Sequence, residues 1–132
     1  MKIQELAIGN WVCIAKPHKI TGMCICDGVP CIQTDYTDTY YAIDNYEPIP
    51  LTIEILEKNG FEKSYDEILE MQYYRSQDKT IQITHFSNSV NKDWYVHIDN
   101  DCYESIGSCD IQYVHELQNL LTLCNLDIEI TL

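Results

Sequence analysis

The sequence predicts an α+β protein: a small SH3-like β-barrel at the N-terminus, then a short helix, an antiparallel sheet and one long covering C-terminal helix. Three observations predict it. Residues 1–48 hold short strand-like segments separated by tight-turn residues. Residues 80–98 hold two further segments of clean apolar alternation. Asp110–Asn125 carries the longest helical period in the chain: Tyr113, Val114, Leu117, Leu120, Leu121 and Cys124 fall on one arc, Gln112, His115, Glu116, Gln118, Asn119 and Thr122 on the other. Residues 1–48 thus read as an SH3-like β subdomain and 49–132 as an α+β subdomain, the two forming one compact unit.

Glu5–Ala15 reads as the first strand, bent at Gly9-Asn10, and Lys16-Pro17 is expected to stop it. Ile20–Cys26 and Val29–Gln33 flank Asp27-Gly28, a strong two-residue hairpin signal because the turn needs positive φ. Polar Thr34–Thr39 is expected to turn and Tyr40–Asp44 to form the fourth strand. Four short strands bury little as an open sheet, which favours a curled barrel. Pro48 and Pro50 stiffen a connector that delivers Thr52 as N-cap of a helix over 53–59, with Glu54 and Lys58 placed to suit the helix dipole and Gly60 ending it. Phe61 follows as a core anchor. Ser64-Tyr-Asp-Glu67 resembles a capping box and suggests a short helix over 65–71, whereas Met71–Arg75 reads as strand. Strands are expected at Thr80–Phe86, Trp94–Ile98 and Cys102–Ser108, with a loop at Ser87–Lys92. Asp110 suits the N-cap of the long helix, Asn125 its left-handed end, and the helix's apolar arc is expected to cover the Ile81/Trp94 hairpin. Leu123 points into the polar face, so either the last segment, Asp127–Leu132, covers it or it meets a partner.

The stretches Leu6-Ala-Ile-Gly-Asn-Trp-Val12, Tyr46-Glu-Pro-Ile-Pro-Leu-Thr52, Asn59-Gly-Phe61, Trp94-Tyr-Val96 and Tyr113-Val-His-Glu-Leu-Gln-Asn-Leu120 span nearly the whole chain. Together they resemble a family of small uncharacterised proteins from gut anaerobic bacteria and their phages or mobile elements. The resemblance implies that layout and a mobile-element origin. It brings no activity, cofactor or catalytic residue, and it does not cover Cys24, Cys26 and Cys31.

Composition narrows the functions. With 21 acidic residues against 8 basic, the net charge is −13. Residues 1–48 carry six acids and three bases (−3), residues 49–132 fifteen acids and five bases (−10), and Arg75 is the sole arginine. Direct nucleic-acid binding is disfavoured, because it draws its affinity from Lys and Arg on phosphates. An anionic membrane surface is disfavoured for the same reason. No signal-peptide pattern or spanning apolar run is read, so the cytoplasm is the expected location. The seven cysteines are an odd number without a secretion signal and read as small core residues rather than a disulfide framework.

Several constellations could carry chemistry, each against a plainer reading. Cys24, Cys26 and Cys31 with His18 could hold zinc, but Cys-x-Cys is a poor zinc spacing and alternating hairpin positions explain it. Cys109, just before the expected helix cap, is the best candidate for a reactive thiol, against packing under the helix. Asp99, Asp101 and Glu104 hint at calcium but lack the glycine and ligand series of an EF-hand loop. No phosphate-binding or hydrolase motif occurs. No cofactor, metal or catalytic residue is therefore assigned. The candidate partner surface is Tyr36, Tyr40 and Tyr41 at a turn, with His115 and Leu123 on the helix. The leading expectation is a non-enzymatic protein-binding module whose partner is another protein, an interaction or inhibitor protein of a phage or mobile element. The alternatives are an acidic nucleic-acid mimic that binds a DNA- or RNA-binding protein, and a small thiol-dependent enzyme.

Overall fold

A computed structural model describes residues 1–68, 70–78, 80–85, 94–99 and 105–132. The chain forms two units: Met1–Pro50 with Tyr113–Ile130, and Leu51–Gln112 with Thr131–Leu132. Both are built on antiparallel sheets, so the fold is mostly β rather than the expected α+β arrangement.

The sheet of the first unit contains β1 (Trp11–Ile14), β2 (Lys16–Cys26), β3 (Val29–Thr34), β4 (Thr37–Ala42) and β5 (Glu47–Pro48), in the order β4-β3-β2-β1-β5. Asp27 and Gly28 both take positive φ, 49° and 80°, as the tight β2–β3 turn requires. Pro17 does not stop the chain. It lies inside β2 opposite Cys13, and β3 pairs with β2 only from Ile20 onward, so the missing N–H is tolerated on an unpartnered side. Leu6, Val12, Ile20, Ile32, Ile43 and Tyr46 form the buried cluster, with Met1, Ile3 and Met23 against it.

The expected SH3-like barrel does not close. β5 reaches only two residues and pairs with β1, leaving β4 as the opposite edge. Pro48 and Pro50 explain the short strand, since neither offers a backbone donor with which to extend a ladder.

The long covering helix is also absent. α2 spans Val114–Leu123, ten residues, because Asp110 and Ile111 are taken by a strand ladder. Its cap is Tyr113, whose N–H donates to the Glu116 carboxylate at 2.9 Å. At the other end Asn125 adopts φ 54°, Asn125 N–H donates to Thr122 O at 3.0 Å and Leu126 N–H to Leu121 O at 2.9 Å, a Schellman ending. Val114, Leu117 and Leu121 are buried, and the helix belongs to the first unit.

The polar side of α2 is not a solvated face. Gln118 Oε1 accepts the Trp11 N–H at 2.9 Å while its Nε2 donates to Gly9 O at 3.1 Å. Asn119 Nδ2 donates to Glu5 O at 2.7 Å, and its Oδ1 accepts from Asn10 Nδ2 at 3.1 Å. Trp11 Nε1 donates to Ile130 O at 2.8 Å, so the segment after α2 is tied to the same strand.

In the second unit β6 (Glu62–Asp66), β7 (Met71–Arg75), β8 (Ile81–His85), β9 (Trp94–Asp99) and β10 (Ser105–Ile111) form a simple meander. Helix α1 (Ile53–Lys58) precedes it, with Thr52 Oγ1 accepting the Ile55 N–H at 3.4 Å. Phe61, Tyr74, Ile81, Ile83, Trp94, Val96, Ile98 and Ile111 are buried. The helix suggested over 65–71 is absent: Ser64 and Tyr65 pair with Tyr73 and Gln72, and the Asp66 carboxylate accepts the Ile68 N–H at 2.9 Å in a side-chain-stabilised turn. The Ser87–Lys92 loop and the first part of the strand expected from Cys102 lie outside the described residues.

The Gln118 carboxamide satisfies two backbone groups at once, and each would otherwise lose its partner. Gln118→Ala is expected to destabilise the protein by about 2 kcal/mol. Leu123→Asn, at a position with no such bond, should stay within about 0.5 kcal/mol. Urea unfolding checks both: the first variant lowers the midpoint with m unchanged, the second leaves it in place.

Candidate functional site

Three local features of the first unit converge. Ile14 and Lys16 are register partners, so β1 turns into β2 through Ala15 alone, which pays for the tight reversal with φ 60°. β3 turns into β4 through Asp35 and Tyr36. After β4 a 3-10 turn, Ile43–Asn45, redirects the chain, and the Tyr46 N–H closes it on Ile43 O at 3.0 Å. Together they frame a cleft of about 740 Å³ lined by Ile14, Ala15, Lys16, His18, Tyr36, Thr37, Tyr41, Asn45 and Tyr46.

Tyr46 is part of the buried cluster, whereas Tyr36 and Tyr41 are exposed at 69% and 45%. His18 is buried, with Nδ1 3.3 Å from Asp35 Oδ1 and its ring 5.0 Å from that of Tyr36. The same Asp35 oxygen accepts the Lys19 N–H at 3.1 Å, which fixes the carboxylate to the hairpin. Lys16 Nζ stands 5.9 Å from the Tyr36 ring centroid, within the range of a cation–π contact. The lining is mainly apolar and aromatic, with hydroxyls, one amide, one imidazole and one ammonium. Among the described residues, neither a cysteine nor a carboxylate lines the cleft.

The structure divides the five candidate surface residues. Tyr36 and Tyr41 share the cleft. Tyr40, 41% exposed, instead lays its hydroxyl over Gly22, where a β-carbon would collide with it. Leu123 is 83% exposed at the end of α2 and is not among the cleft residues. His115, on the polar arc of the helical wheel, is only 2% exposed; it stacks on Tyr113 with ring planes 7° apart, and its Nδ1 has no hydrogen-bond partner. Ile14, Ala15, Lys16, Asn45 and Tyr46 were not singled out from the sequence. Only the pairing of β1 through β4 brings them to Tyr36, and no local motif marks that.

The sulfur group is real but separate. Cys24 and Cys26 Sγ lie 3.3 Å apart, and Cys31 is the cross-strand partner of Cys24. His18 lines the cleft instead of joining them. The hydrogen bond from Cys24 pushes the Cys26 thiol up, and burial pushes the Cys31 thiol up, so neither is an activated nucleophile. Among the described residues no group of three or more His, Cys, Asp or Glu side chains could hold a metal ion. Cys109 lies within β10 opposite Val96, not beside a helix N-terminus. The side chains of Asp99, Asp101 and Glu104 lie outside those described.

No protein-family model matches the chain, and no curated protein or solved structure matches it either. Among the described residues no helix is long and apolar enough to cross a membrane.

His115 sets a pH dependence for stability. Burial lowers its pKa, with Glu116 and then Glu5 pulling the other way. Between the folded-state value and the unfolded value of about 6.5, the unfolded chain binds more protons, so acidification favours unfolding. The His115 contribution is fully present above about pH 6.5 and is lost as pH falls through the folded-state value. His115→Phe keeps a ring on Tyr113 and removes the titration. Urea unfolding at successive pH values should show a smaller stability loss below pH ~6.5 in the variant than in the parent.

Proposed function

We propose that this chain is a non-enzymatic protein-binding module that engages another protein through the Tyr36/Tyr41 cleft, as an interaction or inhibitor protein of a phage or mobile element. The observation that carries the reading is a mainly apolar cleft walled by two exposed tyrosines, on turns held by the Asp35 bonds and by the 3-10 turn. Exposed tyrosine on a fixed backbone contributes contact area and a hydrogen-bonding hydroxyl at small entropic cost, as in protein-docking surfaces. The sequence resemblance supports the mobile-element setting. The absence of cysteine and carboxylate from the lining supports binding over hydrolysis or thiol chemistry.

The test is affinity capture from a gut-anaerobe lysate with the parent protein and a Tyr36→Ala/Tyr41→Ala variant, compared by quantitative mass spectrometry. Both side chains are exposed, so the variant should keep its circular dichroism spectrum and unfolding midpoint. The expected outcome is a protein retained by the parent and lost from the variant, with a binding cost of at least about 2 kcal/mol when remeasured with purified components. Identical captures, or none specific to the parent, would sink the proposal.

A further inference from the structure

The β2–β3 hairpin ends on three thiols. Cys24 and Cys26 are two residues apart on β2, so both side chains leave the same face of the strand. Their sulfurs stand 3.3 Å apart. Cys31 on β3 is the register partner of Cys24, but its thiol donates to Val29 O at 3.5 Å along its own strand. Cys31 is also a hydrogen-bonding neighbour of Cys26, which makes it the competing partner for that sulfur. Cys26 is exposed, as are Ile25 and Val29 beside it, so a small solute reaches its sulfur. Cys24 is half-buried and Cys31 buried.

A disulfide needs its sulfurs at about 2.05 Å and its Cα atoms within about 6.8 Å. Two residues along a strand span about 6.6 Å, near the upper end of that range. Cys26 is the last residue of β2, and the Asp27-Gly28 turn follows it, so the backbone adjustment that closure demands falls on the exposed end of the hairpin. A disulfide closed against its backbone in this way is readily reduced, which suits a reversible bond rather than a structural one.

We propose that Cys24 and Cys26 form a redox-active dithiol, closed to an intrachain disulfide by low-molecular-weight disulfides and reopened by small thiols. Cys26 loses its proton and attacks one sulfur of the small disulfide. The S–S bond of that disulfide breaks, a mixed disulfide forms on Cys26, and the first small thiol leaves carrying a proton. Cys24 then loses its proton and attacks the Cys26 sulfur. The mixed bond breaks, the Cys24–Cys26 bond forms, and the second small thiol leaves carrying a proton. Two electrons and two protons have passed from the protein to the small disulfide. The hydrogen bond from Cys24 pushes the Cys26 thiol up, so the first attack is slow at neutral pH. The dithiol is separate from the Tyr36/Tyr41 cleft, and neither reading depends on the other.

The fully reduced whole chain, incubated in mildly alkaline buffer with mixtures of glutathione and glutathione disulfide, tests the proposal. The reaction is quenched with acid, free thiols are alkylated, and the tryptic peptide spanning residues 20–58, which holds all three cysteines, is mapped by fragmentation. With glutathione disulfide in excess the parent should lose two hydrogens and show a bond from Cys24 to Cys26, with Cys31 alkylated. Excess reduced glutathione should restore both thiols. Cys31→Ala should still close, whereas Cys24→Ser/Cys31→Ala should stop at a glutathione adduct on Cys26. A parent that keeps Cys24 and Cys26 as free thiols, that stops at glutathione adducts, or that joins Cys31 to either of them would overturn the proposal. So would a Cys31→Ala variant that fails to close with its circular dichroism unchanged. The bond mapped in the parent decides the question even where a variant does not fold.

Discussion

The first unit depends on a pair of carboxamides. Gln118 and Asn119 sit side by side on α2 and bond the backbone of Glu5, Gly9 and Trp11, with Asn10 joining from its side chain. Glu5 and Gly9 lie ahead of β1 and Trp11 is its first residue; backbone groups there are costly when left without a partner. A helix far along the chain therefore completes the start of it. The contact fixes β1 at its first residue, and β1 in turn positions both β2 and β5. Lys19 on β2 carries the same register outward, pairing with Glu129 at 2.7 Å and facing the Trp11 ring.

The cleft inherits this order. Its walls come from turns, which are ordinarily the mobile parts of a sheet. Here two of the three turns are pinned by hydrogen bonds: Asp35 accepts the Lys19 N–H, and the Tyr46 N–H closes onto Ile43 O. Ala15 holds a left-handed conformation that alanine does not favour, and strain of that kind persists only where the surroundings determine the backbone. A binding surface on such turns loses little further entropy when a ligand arrives.

Local chemistry was legible in the sequence and long-range pairing was not. Asp27-Gly28, Thr52, Gly60 and Asn125 each act by backbone geometry within a few residues, and each does what its type requires. The same holds for alternation: Ile81, Ile83, Trp94, Val96 and Ile98 are buried together as their period demands. Ser64-Tyr-Asp-Glu67 misled because its signature is shared by a helix start and a side-chain-stabilised turn, and the strand Met71–Arg75 decides between them. Asp110 misled for a related reason. It is a good cap in isolation, but Ile111 pairs with Trp94, and a ladder already formed outweighs a cap. Barrel closure failed on Pro48 and Pro50, which were read as stiffening a connector when they also limit β5 to two residues.

The polar arc of α2 is taken up by contacts within the fold. On a helical wheel His115, Gln118, Asn119 and Thr122 form a polar cluster that invites either solvent or a ligand. In the fold His115 is buried against Tyr113, Gln118 and Asn119 are spent on the backbone of residues 5–11, and Thr122 bonds its own helix at Gln118 O. A wheel sorts side chains by direction and cannot tell a backbone partner from water. The Tyr36 turn is the opposite case: there, hydrogen bonds fix Asp35 beneath it and leave the Tyr36 and Tyr41 side chains exposed. That division assigns α2 to holding the first unit together and leaves Tyr36 and Tyr41 open to solvent.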